Sequence, residues 1–128
     1  MKTRKKSFYD ILEDTRIRTR RKLLKKIPSW AGVEGLEFPS SLSLEQCSSE
    51  ATATFKARLI KEKFAHPDTI CDLTCGLGVD SWAFSAIASK VISFERNKDL
   101  VEAVRNNYSA LKADNIDLRC EDVSSLDT

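Results

Sequence analysis

The chain of 128 residues carries 21 Lys and Arg against 19 Asp and Glu, a net charge of +2, with 41% hydrophobic residues. That length accommodates one domain with a real core, at the low end for a doubly wound enzyme. No apolar run approaches a membrane span and the basic start lacks the apolar stretch of a signal peptide, so a cytoplasmic protein is expected.

The small overall charge conceals a division. The first 26 residues hold eleven Lys and Arg against Asp10, Glu13 and Asp14, a net +8, which leaves −6 for the remainder. A helix is predicted from about Ser7 to Lys26, because Phe8, Ile11, Leu12, Leu23, Leu24 and Ile27 fall near one face and Ser7 can cap its start. Pro28 stops it. The other face carries Arg16, Arg18, Arg20, Arg21, Lys22, Lys25 and Lys26, dense enough to follow a phosphate backbone and equally readable as a solvated helix face.

The stretch from Ser29 to Ser41 reads as an ordered connector anchored by Trp30, Leu36 and Phe38. Ser43-Leu44-Glu45-Gln46 is a capping-box pattern, and Ser49 can cap a further helix running to about Phe64. Its expected buried stripe is Ala51, Phe55 and Leu59, flanked by Ile60 and Phe64. His66, the only histidine, sits before Pro67 and suggests neither metal ligand nor base. Cys47, Cys71, Cys75 and Cys120 form no C-x-x-C pair and read as small buried packing residues.

Thr69 to Asp80 (TICDLTCGLGVD) is the stretch that organises the chain. Ile70, Cys71 and Leu73 read as a strand buried on both faces, and Gly76 and Gly78 permit a tight bend with close backbone approach to a ligand. A crossover helix is predicted over Val79 to Ser89, with Trp82 as a core residue. Val91 to Glu95 supplies a second strand that ends in an acid nineteen positions after Gly76, near the spacing of roughly 20 at which a doubly wound fold places a carboxylate on ribose hydroxyls. A second crossover helix follows from about Lys98 to Lys112, capped by Asn97, with Asn107 read as a helix-end residue. Ile116 to Cys120 is the third strand, followed at once by Glu121 and Asp122. Three parallel strands in spatial order 3-2-1 are expected, ending in Asp72, Glu95 and Asp122.

This constellation, from about Thr69 to Val123, resembles the class I S-adenosylmethionine-dependent methyltransferases; a nicotinamide-binding Rossmann half is the competing reading. The resemblance implies S-adenosyl-L-methionine as cofactor. Asp72, Thr74, Gly76 and Gly78 fall on the glycine-rich motif that wraps the methionine part, Glu95 on the acid that grips the ribose with Arg96 beside it, and Asp122 on the acid that accepts from the adenine amino group, with Val123 donating a backbone N–H to the ring. Where many members carry a third glycine this chain has Asp80, which suits the ammonium group of the cofactor. The segment Leu42 to Ala53 looks like the one preceding the glycine motif in bacterial THUMP-like and trimethylguanosine-synthase-like RNA methyltransferases, where it closes over the methionine end. Gln46, Ser49 and Thr52 are its polar candidates, with helix capping as the alternative role.

The expected fold is thus a partial Rossmann-like α/β sheet: a helical N-terminal extension over residues 1–65 and the first half of a cofactor-binding domain over 66–128. No residue pair qualifies as an acid/base couple, a nucleophile with its base, or a metal cluster. The expected function is the cofactor-binding part of an RNA methyltransferase, inactive alone without the substrate motif of a fourth strand. The alternative is a non-catalytic module that binds nucleic acid through the basic helix. The edge formed by Thr69 to Thr74 lacks Lys, Pro or a bulge, and pairing with a second copy into a homodimer is expected there unless the basic helix covers it.

Overall fold

The computed structural model describes residues 7–125; Lys2, Arg4, Lys5 and Lys6 of the basic segment lie outside them. Helix α1 spans Phe8–Lys26, and Ser7 begins it through a reciprocal capping box with Asp10. Ile27 ends α1 and Pro28 opens a short helix α2, Pro28–Ala31, at the position where a missing N–H costs nothing. The expected apolar face of α1 is buried only at its end. Leu23 and Ile27 are in the core, whereas Phe8, Ile11, Leu12 and Leu24 are exposed. The packing of α1 against α2 and α3 (Ser41–Gln46) reaches only its C-terminal end, which leaves the upstream turns in solvent.

Ser40, not Ser43, caps α3, its side chain accepting from the Ser43 N–H. Ser49 caps α4, Glu50–Phe64, as expected. The buried stripe of α4 differs from the expected one: Ala53 and Ala57 face the core, and Phe55, Leu59 and Phe64 are exposed. Two small residues one turn apart allow close approach of α5, Val79–Ser85, and this proximity selects the alanine face over the bulkier one. Helix α5 is also shorter than predicted. The Asn115 side-chain amide donates to the carbonyls of Ser85 and Ala88 and draws the chain out of the helix at that point.

Strands β1 (Thr69–Asp72), β2 (Lys90–Phe94) and β3 (Ile116–Arg119) pair in parallel in the order β1-β2-β3, with Thr69 opposite Lys90 and Val91 opposite Ile116. Helix α6, Lys98–Ala110, connects the last two, capped by Asn97 and burying Val101, Val104 and Tyr108 along one face. The helices pack on one face of the sheet, and on the other Phe94 is nevertheless buried. Ile70, Val91, Ile116 and Leu118 enter the apolar cores, whereas Cys71 is exposed, and Asp117 and Arg119 pair with each other at 2.9 Å. That arrangement overturns the expectation that β1 is buried on both faces, and Leu73 beyond it is 53% exposed. For the same reason Cys71 and Cys120 are exposed where buried packing was expected, although Cys75 is buried.

The helical segment and the sheet share one core. Leu23, Ile27, Trp30, Leu44 and Ala53 belong to the same buried cluster as Leu77, Val79, Val104 and Leu118, and the Trp30 and Trp82 rings meet edge to face at 5.7 Å. Asn107 lies in the last turn of α6, where its carbonyl accepts from the Leu111 N–H, and its side chain is fully buried. Its amide exchanges two hydrogen bonds with the backbone of Glu37, 2.7 Å from the Glu37 N–H and 2.8 Å to its carbonyl, and so fixes the connector to α6. Among the described residues no helix is long and apolar enough to cross a membrane.

The two turn glycines are required for different reasons. Gly78 has φ +87°, and a Cβ there would overlap the Tyr108 hydroxyl and lie 2.9 Å from its ring. Gly76 has φ +56° with open space around it. Gly78→Ala is therefore expected to cost about 2–4 kcal/mol, combining left-handed strain with overpacking, and Gly76→Ala only about 1–2 kcal/mol. Urea unfolding of the two variants side by side checks the ordering.

Candidate cofactor site at the strand ends

The turn after β1 is held from three sides. The Cys75 N–H donates to the Phe94 carbonyl at 2.8 Å, the Gly76 N–H to Glu95 Oε1 at 3.0 Å, and the Tyr108 hydroxyl to the Gly78 carbonyl at 3.0 Å. Burial pushes the Tyr108 hydroxyl well up from its ordinary pKa and the Cys75 thiol to about 12, so both remain neutral. Glu95 accepts with its second oxygen from the Asn97 N–H at 2.9 Å. A carboxylate has about four lone-pair positions, so two remain for other donors.

Asp72 ends β1 and points to the helix side. Its oxygens accept from the Thr74 N–H at 3.3 Å and the Ser81 hydroxyl at 2.6 Å, and Ser81 lies 2.6 Å from the buried Ser93 hydroxyl. Burial pushes its carboxyl above the usual range despite those donors.

Two cavities sharing Thr74 lie at this end of the sheet. The first, of about 290 Å³, is bounded by the glycine turn, by Asp80 and Leu100, and by Ser43, Gln46, Cys47 and Ser48 from α3 and its exit. The second, of about 240 Å³, lies over the ends of β2 and β3 between Leu73, Phe94, Glu95, Arg96, Glu121, Asp122 and Val123. Of the residues singled out from the sequence, Thr74, Gly76, Asp80, Glu95, Arg96, Asp122, Val123 and Gln46 line one or both. Gly78 and Asp72 stand behind the lining, one in the turn and one in its support. Ser49 and Thr52 also lie outside it, where Ser49 caps α4 by accepting from the Thr52 hydroxyl at 2.9 Å and N–H at 3.1 Å.

Ser43, Cys47 and Ser48 lie in the Leu42–Ala53 segment that the resemblance put over the methionine end but, like Leu100, were not singled out, because helix spacing alone does not say which of its residues face the turn. Lys56 was not legible either. It projects from α4 to Asp80 Oδ2 at 3.0 Å, and the Ser48 hydroxyl donates to the same oxygen at 3.1 Å. Asp122 accepts from the Ser124 N–H and hydroxyl, both at 2.9 Å, and those bonds, the backbone one first, hold its carboxyl below the usual range. Arg96 Nη1 stands 4.0 Å from it.

Of the basic face of α1, Lys22 pairs with Glu45 at 2.9 Å, and Lys26 donates to the carbonyls of Leu44, at 2.8 Å, and Glu45 at the end of α3. Arg16, Arg18, Arg20, Arg21 and Lys25 are exposed, with Arg18 donating to the Asp14 carbonyl at 3.4 Å. A further cavity of about 460 Å³ between α4 and α5 shares no lining residue with the glycine turn. Among the described residues no group of three His, Cys, Asp or Glu side chains forms a metal cluster.

The raised pKa of Asp72 fixes a sign. A carboxyl whose folded pKa lies above its unfolded value destabilises the fold at neutral pH and ceases to do so as falling pH protonates it. Asp72→Asn removes that charge. Any stability advantage of the variant over wild type should be largest near pH 7 and shrink as pH falls through the folded pKa towards the ordinary carboxylate value, measured by denaturant unfolding at each pH; a difference independent of pH contradicts this.

No family model and no curated protein matches the chain. Solved structures do. A protein of Porphyromonas gingivalis W83 described as a candidate methyltransferase is 34% identical, with a TM-score of 0.71 over 93% of this chain and 29% of that one. The N-terminal domain of EvdMO1 with SAH bound is 22% identical, with a TM-score of 0.59 over 88% of this chain and 48% of that one. A candidate RNA methyltransferase of Pyrococcus horikoshii is 21% identical, with a TM-score of 0.55 over 81% of this chain and 54% of that one. At such identities the last two carry the fold alone, and the chain spans 29% of the length of the Porphyromonas gingivalis protein. The three parallel strands and their helices have the open Rossmann-like fold of the class I methyltransferases.

Proposed function

We propose that the chain binds S-adenosyl-L-methionine across the two cavities and forms the cofactor-binding part of a methyltransferase that acts on RNA. The observation that carries this reading is the convergence of a braced glycine turn and two strand-end acids, with the third, Asp72, behind the turn, on two cavities that share Thr74. One is lined by the ribose-gripping and adenine-reading candidates, Glu95 and Asp122, and the other by the turn, Gln46 and Asp80. The residues present fit that cofactor: Gly76 lines its cavity with open space where a side chain would stand, and Asp80 offers a buried carboxylate oxygen without a partner. When bound, S-adenosyl-L-methionine supplies an activated methyl group. The chain's own part is to bind and orient it, with Glu95 on the ribose hydroxyls, Asp122 and Val123 on the adenine, and the α3–α4 segment over the methionine end. No described residue is assigned to the transfer itself.

Calorimetry with S-adenosylhomocysteine (SAH) tests the reading, because a nucleic-acid module without cofactor requires no binding. Glu95→Ala is expected to weaken SAH binding by about 1.5–3 kcal/mol, the range for hydrogen bonds to a charged group. Some of that loss comes from freeing the Gly76 and Asn97 N–H groups that Glu95 now holds. Unchanged affinity contradicts the assignment.

RNA as the partner rests on the exposed cations of α1 and on the resemblance to RNA methyltransferases. Arg18, Arg21 and Lys25 replaced together by Ser should lower the slope of log affinity against log salt by about 2, at roughly 0.7 per phosphate contact on a single strand. A slope that does not change removes α1 from the interface. Pairing of two copies along the edge of β1 is supported by the open edge beside exposed Cys71 and Leu73, and sedimentation at micromolar concentration decides it.

A further inference from the structure

The exposed cations of α1 do not form a single stripe. By helical spacing Arg18, Arg21 and Lys25 fall on one side, and Thr15, Arg16 and Arg20 on the side that leads to buried Leu23. Along that second side runs a groove of about 270 Å³, between α1 and the connector that joins α2 to α3. Arg16 and Arg20 stand at its α1 wall, and both are exposed. Leu36 and Phe38 line it from the connector, each half-buried, with part of the side chain against the core.

The wall opposite α1 is fixed by the domain behind it. Gly35 lines that wall in left-handed backbone, φ +84°, and its carbonyl accepts from the Asn106 side-chain amide of α6 at 2.7 Å. The Glu37 backbone two residues on is held by Asn107. A wall fixed in advance leaves less ordering to be done on binding.

The chemistry of the groove narrows its ligand. Arg16 and Arg20 are like charges one turn apart, which disfavours the helix until an anion sits between them. Among the described residues no acid lines the groove; Glu34 and Glu37 of the connector are exposed outside its lining. Guanidinium groups bond phosphate through paired N–H groups and also stack on planar rings. Phosphate alone leaves the apolar surface of Leu36 and Phe38 uncovered, and the volume lies below the roughly 300 Å³ at which pockets for whole small molecules begin. An aromatic ring joined to a phosphate satisfies both walls, and only an unpaired nucleotide has its ring free to enter, because a duplex keeps its bases stacked inside. We infer that the groove takes one unpaired nucleotide of a single-stranded RNA, its base against Phe38 and Leu36 and its phosphate on Arg16 and Arg20. The inference rests on the RNA reading and adds to it a site that contacts a base, on the side of α1 away from Arg18, Arg21 and Lys25.

Fluorescence anisotropy tests it with a short single-stranded oligoribonucleotide that cannot pair with itself and an abasic ribose-phosphate strand of the same length and charge. Wild type should bind the base-bearing strand at least about fivefold more tightly, the low end for one base stacked on an aromatic side chain. Thr15→Phe fills the groove from exposed α1 without changing the charge, and should abolish that preference while the abasic strand binds as before. Arg16→Ser combined with Arg20→Ser should lower the slope of log affinity against log salt by about 1.4 for both strands, at roughly 0.7 per phosphate contact. Equal wild-type affinity for the two strands, or a preference that survives Thr15→Phe, overturns the groove and leaves the phosphate contacts of α1 standing. Equal loss of both strands in Thr15→Phe, an unchanged slope in the double variant, or tighter wild-type binding of the same sequence as a duplex also overturns it. Binding of neither strand overturns the RNA reading and this inference with it. If Thr15→Phe does not fold, photocrosslinking of wild type to a strand carrying 5-iodouridine decides instead. Adducts on residues 33–38 support the groove, and adducts confined elsewhere overturn it.

Discussion

The left-handed turn between β1 and α5 depends on bonds made to it by distant parts of the chain. Gly76 and Gly78 both have positive φ, a conformation that local sequence permits but does not hold. Phe94 and Glu95 at the end of β2 and Tyr108 near the end of α6 supply the acceptors and the donor that hold it. Since Gly78 has no side chain, the Tyr108 ring approaches the turn directly, and the cavity side of the turn stays open at Gly76. The cleft is therefore as rigid as the packing of α6 and β2 behind it.

A second constraint acts across the cleft. The helices before the sheet share its core, and Trp30 against Trp82 and the Asn107 amide against the Glu37 backbone fix them there. The consequence is that α3 forms one wall of the cavity whose other wall is the glycine turn. The basic face of α1 divides accordingly. Lys22 and Lys26 hold α3 through Glu45 and the carbonyls at its end, where a cation also meets the favourable end of the helix dipole. Among the described residues upstream, Arg16, Arg18, Arg20 and Arg21 are exposed, and Arg18 donates within α1 to the Asp14 carbonyl.

The one-sided sheet explains the burial that differs from expectation. Parallel strands are ordinarily covered on both faces and read as continuous apolar runs. Here α4 and α5 pack against the side of Ile70 and Val91, β1 shows alternating burial, and in β3 Leu118 alone is fully buried. Cys71 and Leu73 are exposed at an open strand edge, Phe55 and Leu59 of α4 are exposed as well, and none of the four belongs to either core.

Much of the framework is written in local chemistry that the sequence displays by itself. Ser7, Ser49 and Asn97 announce helix starts because a capping side chain acts on its own neighbours, and Gly76 with Glu95 nineteen residues on announces a nucleotide-type turn because the βαβ unit has a nearly fixed length. Order and direction of the three strands follow from the same alternation. What the tertiary structure alone decided are the relations between segments: which stripe of α4 is buried, that Asn107 locks a connector 70 residues away, that Ser49 and Thr52 serve a helix cap while Ser43 and Ser48 face the cavity, and that Lys56 meets Asp80. Each of these depends on the distance and rotation at which two helices pack, and small residues such as Ala53 and Ala57 set that distance without leaving a periodic signal that distinguishes their face from the one carrying Phe55 and Leu59.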